Sequence, residues 1–219
     1  AKEIIAALRE GASGLPIAVK TRLGLYTTEE MEQWIPELLK AKPDVLIIHG
    51  RTMKEMAKVP AHWDLIGRVA EMAKEYGSPS ASSGRLSERT LIVGNGDVLS
   101  RQQGVELAQR WGVDGVMVGR GIFSNPWFFD PAIDIASVSP RQRLQLLLEH
   151  TELWLKQWGP STGSGSSRIK SFDLMRKFYK VYVSGWDSAK ELRVQLMNAR
   201  DAGQVRRLVT DYINQKGLA

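Results

Sequence analysis

No cysteine occurs among the 219 residues, which excludes disulfides, thiolate metal sites and a thiol catalyst within the chain. No metal site is expected. No apolar run approaches the roughly 18–20 residues of a membrane span, so no membrane partner is expected either. The opening segment AKEIIAALREGA reads as an amphipathic helix carrying acidic residues, unlike a signal peptide, and a cytoplasmic setting is the default expectation. The first residue is Ala, not Met, which fits methionine removal before a small residue or a piece of a longer chain.

What is present is ordinary for a folded protein: 43% hydrophobic and 25% charged residues, enough for a real core in one or two domains. The charge, however, is unevenly placed. Residues 1–135 carry 16 basic and 17 acidic side chains, a net of −1, whereas residues 136–219 carry 14 and 7, a net of +7. The basic excess lies entirely in the last third. Such asymmetry suggests a polyanion-binding module, and nucleic acid is the commonest soluble polyanion. The expected domains are therefore 1–135 and 136–219.

Four β-branched apolar runs stand at 17–23, 45–49, 91–93 and 115–118. Each precedes a helical pattern: 29–39 with Thr27 or Thr28 as cap, 64–76, 101–111 with Ser100 as cap, and a short helix near 125–134. Residues 1–11 form a helix ahead of the first strand. The runs are continuous, not alternating, which predicts a parallel sheet buried on both faces. Alternating β and α units make the class α/β. Four such units are half of a TIM-type (β/α)8 barrel, which takes about 250 residues. Residues 1–135 are expected to be its second half, strands five to eight, with a self-contained four-stranded sheet as the competing reading. A small all-helical domain is expected to follow, with helices at 140–158, 168–183, 188–199 and 202–215. Two Ser/Gly-rich stretches, 77–89 and 159–167, read as surface loops.

The chemistry-bearing residues gather at the strand ends. Lys20 closes IAVK, where an ammonium can meet phosphate or an electron-rich ring, or simply solvent. His49 closes VLIIH, with Arg51 two residues on as a second donor; a satisfied core histidine is the plainer reading. Asn95, Gly96 and Asp97 form a turn that lets backbone approach a ligand, or one in which Asp97 merely caps a helix. Gly119 and Arg120 combine backbone amides with a guanidinium, a phosphate-binding pair. Each cluster is weak alone, but four at four successive strand ends point to a phosphorylated cofactor or substrate. His62 and His150 lack comparable partners and read as structural or surface residues. In the C-terminal third, Phe172, Met175, Tyr179 and Tyr182 share one helix face. Arg168, Lys170, Arg176, Lys177 and Lys180 lie around it and are expected to contact a phosphate backbone.

The segments VKTRLG at 19–24, IHGRT at 48–52, PAHWD at 60–64, GNGD at 94–97 and DGVMVGRGIFSNPW at 114–127 resemble the tRNA-dihydrouridine synthases, as does KVYVSGWDSAKELRVQLMNA at 180–199. The resemblance runs through nearly the whole chain in order. It implies an FMN-dependent barrel followed by a helical tRNA-binding domain, and NADPH-driven reduction of the uracil C5–C6 bond in tRNA. By position, it implies flavin contacts for Lys20 and His49, a backbone-rich FMN contact at Asn95, Gly96 and Asp97, and a phosphate contact at Gly119 and Arg120. In that family a cysteine of the N-terminal half-barrel supplies the proton; here no catalytic residue is assigned. The chain is therefore expected to be a C-terminal portion with little or no synthase activity by itself. Two alternatives stay open: another FMN- or phosphate-binding barrel such as a dihydroorotate-type dehydrogenase, and a non-catalytic RNA-binding module.

Overall fold

A computed structural model describes residues 1–76, 89–159 and 170–218. The chain divides into two compact units, Ala1–Ile122 and Phe123–Ala219. This division falls earlier than the charge boundary at 135/136.

The first unit begins with α1 (Lys2–Gly11), then alternates β1 (Ala18–Arg22), α2 (Met31–Lys40), β2 (Val45–His49), α3 (Trp63–Glu75), β3 (Leu91–Asn95), α4 (Arg101–Trp111) and β4 (Gly115–Met117). The strands form one parallel sheet in the order β1-β2-β3-β4. A repeated device sets the register at the strand entrances. The Asp44 amide donates to the Ile17 carbonyl at 2.9 Å, while the Asp44 carboxylate accepts from the Ile17 amide at 2.8 Å. Asp114 and Ile92 repeat this exchange, both bonds at 2.8 Å. Each aspartate thus clamps the edge of the preceding or neighbouring strand before the ladder starts.

Burial alternates along the strands, which corrects the expectation of two buried faces. Leu46, Ile48 and Ile92 are fully buried, whereas Val45, Ile47, His49, Leu91, Val93 and Asn95 are only partly so. Helices cover one face: the Trp63 ring and Ile66 of α3 sit where a Cβ on Gly94 would stand. The other face carries Lys20, Arg22, His49 and Asn95, polar groups that do not pack as a dry layer.

The helix limits follow their caps. Ser100 accepts from the Gln103 amide at the start of α4, and Gly112 ends it in the left-handed conformation (φ 63°), as cap chemistry requires. At α2 neither Thr27 nor Thr28 caps the helix. Glu30 instead accepts the amides of Leu25, Tyr26 and Thr27 at 2.6, 3.1 and 3.2 Å, which fixes the turn leading in.

The second unit is helical: α5 (Pro140–Trp158), α6 (Arg176–Tyr182), α7 (Ala189–Met197) and α8 (Ala202–Lys216). Ser139 and Gln142 make a capping box before α5, and Asp201 caps α8. The core joins Leu144, Leu147 and Trp154 of α5 to Met175, Tyr179 and Tyr182, Leu192 and Leu196 of α7, and Val205, Val209 and Tyr212 of α8. The expected helix near 125–134 does not form. Asn125 and Asp130 bend their side chains onto the amides of Trp127 and Ala132, giving the chain turns in place of helical bonds. Of the expected helix at 168–183, residues 168–169 lie outside the described residues and the rest is only partly helical. Ser171 caps a single 3-10 turn, Phe172–Met175, and α6 starts only at Arg176. Both Ser/Gly-rich loop expectations fall almost wholly outside the described residues. No helix among the described residues is long and apolar enough to cross a membrane.

Candidate functional site

Parallel register places side chains in rows across a sheet. Arg22, His49, Asn95 and Met117 form one row at the carboxyl ends of the four strands, and Lys20, Ile47, Val93 and Gly115 form the row beneath. Above the upper row opens a cleft of about 650 Å³ whose lining includes Arg22, His49, Arg51, Asn95, Gly96, Asp97, Met117, Gly119 and Arg120, together with Met56, Val98 and Leu99. Six sequence candidates therefore meet in one place: His49, Asn95, Gly96, Asp97, Gly119 and Arg120. Lys20 does not line the cleft.

Lys20 nonetheless acts on it electrostatically. The residue is solvent-exposed, yet partial burial of its ammonium and then the Arg22 guanidinium hold its pKa below that of a free lysine. His49 responds more strongly. Burial, then Arg22, Lys20 and Arg51, lower the imidazole to about 4, against a weaker opposing pull from Asp97. Desolvation and like charge both penalise the imidazolium, so His49 is neutral at neutral pH.

The sequence reading offers Arg51 as a second donor fork for a ligand; it lines the cleft but is only 2% exposed, and each of its three nitrogens has a partner within the fold. Nε donates to the Val59 carbonyl at 2.6 Å, one terminal nitrogen lies 3.2 Å from His49 Nε2, and the other pairs with the Asp97 carboxylate. Asp97 also accepts from the Ala61 amide at 2.9 Å and lies 3.7 Å from Arg120. Burial alone would raise the Asp97 carboxyl; the Ala61 amide, Arg51 and Arg120 outweigh it and hold it below the usual carboxylate range. Asp97 thus braces the loop after β2 against the loop after β3, and it does not cap α4.

The glycines differ in what they do. Gly96 has φ 135°, and a Cβ there would lie 2.6 Å from Ala61 Cβ, so both conformation and packing demand glycine. Its carbonyl accepts from the Trp63 indole at 3.0 Å. Gly119 has nothing within 4 Å of a built Cβ and faces open space beside Arg120, whose side chain is 71% exposed. Asn95 is fixed by donating Nδ2–H to the Met117 carbonyl at 2.8 Å.

Arg22 was missed, although the alternation of VKTR places it on the same strand face as Lys20. Its guanidinium donates to the Thr52 carbonyl at 2.8 Å. His62 and His150 have partners that the sequence did not reveal: Glu55 at 2.9 Å for His62 Nε2, and the Tyr182 hydroxyl at 2.8 Å for His150 Nδ1. Among the described residues, no cluster of three metal-ligating side chains occurs.

In the helical unit, the basic candidates have different surroundings. Lys177 and Lys180 are exposed on α6, Lys177 lying 4.9 Å from the Phe178 ring centroid. Lys170 holds its ammonium 3.4 Å from the centre of the Trp158 ring. Arg176 is half-buried and paired with Asp173 at 2.9 Å. Arg168 lies outside the described residues.

The family model described as dihydrouridine synthase matches residues 1–216. A "Probable tRNA-dihydrouridine synthase" of Staphylococcus aureus is 38% identical over 212 residues, covering 97% of this chain and 58% of that protein. One of Staphylococcus epidermidis is also 38% identical, with 97% and 59% covered. A "Probable tRNA-dihydrouridine synthase 2" of Bacillus subtilis is 36% identical, again with 97% and 59% covered. The chain thus spans somewhat under three-fifths of the length of these relatives.

Proposed function

The chain belongs to the dihydrouridine synthase family, and from that premise we propose that it carries the phosphate-binding half of an FMN site serving the NADPH-driven reduction of uridine to 5,6-dihydrouridine in tRNA. The observation that carries this reading is the convergence of His49, Asn95, Gly96, Gly119 and Arg120 on one cleft at the carboxyl ends of sequential parallel strands. That end of a (β/α)8 barrel is where phosphate sites are built. Sequential strand order with helices over one face suits half of such a barrel, whose interior face is the one left partly open.

The donor set fits a phosphorylated flavin. The exposed Arg120 guanidinium and the open backbone at Gly119 suit the phosphate. Neutral His49 suits a polar ring edge, because it can offer a donor without carrying charge. Arg22 and Lys20, one row apart, make the floor electropositive, which favours an electron-rich or anionic ring. When bound, FMN would supply the hydride for one uracil carbon. The chain itself holds the cofactor and keeps the cleft geometry rigid through Asp97, Arg51 and Trp63. It has no cysteine to protonate the other carbon, so the acid and the remaining flavin contacts would come from outside these residues. The substrate base would leave the tRNA stack to reach the cleft, with Lys177 and Lys180 of the basic helical unit, together with Lys170, Arg176 and Arg168, engaging the phosphate backbone in a cytoplasmic setting.

The test is the visible spectrum of the purified chain together with a dihydrouridine assay on tRNA. A flavin spectrum without dihydrouridine formation is expected. A colourless protein that takes up no FMN but retains tRNA would favour a binding module. Dihydrouridine formed by this chain alone would overturn the half-site reading.

A further inference from the structure

Arg51 lines the cleft, yet its guanidinium is almost wholly buried and turned to partners within the fold. Its partners lie on three segments: the Val59 carbonyl, the Asp97 carboxylate and His49 Nε2 at 3.2 Å. A guanidinium has donors only. The His49 nitrogen that meets it must therefore be the acceptor, which leaves the ring proton on Nδ1. We propose that Arg51 is a positioning residue that fixes His49 as the Nδ1–H tautomer, so that the imidazole presents a committed N–H donor to the ligand of the cleft.

The surroundings support this assignment. The Cδ2–Nε2 edge of the ring is turned to the loop after β3, with Cδ2 3.4 Å from the Cβ position of Gly96. Among the described residues nothing hydrogen-bonds Nδ1. Nδ1 is not among the buried unpartnered polar atoms of the described residues, so its N–H is open to an acceptor on a ligand. The charged groups facing His49 are Lys20 and Arg22 from β1, Arg51 from its own loop and Asp97 from the loop after β3. Burial first, and then three cations against one carboxylate, keep the ring neutral, which is the condition for it to have a tautomer at all. Asp97 supports the arrangement by holding the other terminal nitrogen of Arg51, so the chain Asp97–Arg51–His49 works as a relay of orientation and not of protons. A second ring N–H at Nε2 would meet the guanidinium donor head-on.

The donor role rests on the flavin reading above; the tautomer assignment does not. The test is a two-bond proton–nitrogen correlation spectrum of the histidine-labelled chain at neutral pH, with His49→Gln used to assign the signal among the three histidines. The wild-type chain should show His49 as Nδ1–H. Arg51→Met should bring in the Nε2–H form, and Arg51→Lys, which keeps a donor, should restore Nδ1–H. An Nε2–H or doubly protonated His49 in the wild type overturns the proposal, as does an unchanged tautomer in folded Arg51→Met. If Arg51→Met fails to fold by circular dichroism, the wild-type and Arg51→Lys spectra decide alone. Adding FMN separates the two ideas. Failure to bind FMN sinks the flavin reading and leaves the tautomer result standing; binding that leaves the His49 Nδ1–H signal unmoved overturns the donor role.

Discussion

His49 stands opposite Asn95 across two parallel strands, and the ladder runs one residue further, the Gly50 amide donating to the Asn95 carbonyl at 3.0 Å. The main chain itself therefore sets the spacing of two cleft residues from different strands. Asn95 extends the link to β4 through its side-chain bond to the Met117 carbonyl. Asn95→Ala removes that bond and should cost about 1–2 kcal/mol. Urea unfolding should show a lower midpoint with an unchanged slope.

Gly94 and Gly119 separate packing from ligand contact. A Cβ on Gly94 would lie 2.5 and 2.7 Å from two carbons of the buried Trp63 ring, so Gly94→Ala should destabilise by about 1–3 kcal/mol, as overpacking does. Gly119→Ala meets only open space and should change stability by less than about 0.5 kcal/mol. Thermal unfolding of both variants checks the contrast. A neutral Gly94→Ala would show that α3 does not pack on β3 as described.

Protonation of His49 should weaken the fold. In an unfolded chain it titrates near 6.5, whereas in the fold burial, then Arg22, Lys20 and Arg51, lower it to about 4. Between these values the unfolded chain binds more protons, so stability falls as pH drops from about 6.5 towards 4 and is complete above that window. His150 is lowered by burial too and acts in the same sense. Comparison with His49→Gln isolates the first. Denaturant unfolding at several pH values should show the wild type losing more stability than the variant on acidification; parallel curves would refute the depressed imidazole.

Two exposed lysines of α6 test the polyanion reading of the helical unit. Lys177→Ala with Lys180→Ala should weaken tRNA binding at low salt and reduce the slope of log affinity against log salt by about 1.5, as loss of two phosphate contacts does. An unchanged slope would take both residues out of the interface.

Much of this arrangement was legible in the sequence where the determinants are local. VLIIH gives β2 at its full extent, and Ser100 opens α4 as expected, because β-branching and caps act over a few residues. The role of Arg51 was not legible. Its partners at Val59, Asp97 and His49 come together only when the loops after β2 and β3 meet, and a guanidinium after a strand reads equally well as a ligand donor. The turns at 125–134 were misread for a related reason. Asn125 and Asp130 can serve as helix caps or as turn formers, and periodicity does not distinguish them. The partly open sheet face was hidden because a continuous apolar run looks the same whether one face or both are covered.

The central claim, that Gly119 and Arg120 form a phosphate site for a flavin, is tested most directly by titrating the chain with FMN and with riboflavin, which lacks only the phosphate. FMN should bind at least tenfold more tightly than riboflavin, a difference of about 1.4 kcal/mol, and Arg120→Ala should remove most of that preference while leaving riboflavin binding unchanged. Equal affinity for the two flavins in the wild type, or an FMN preference that survives Arg120→Ala, would contradict the account.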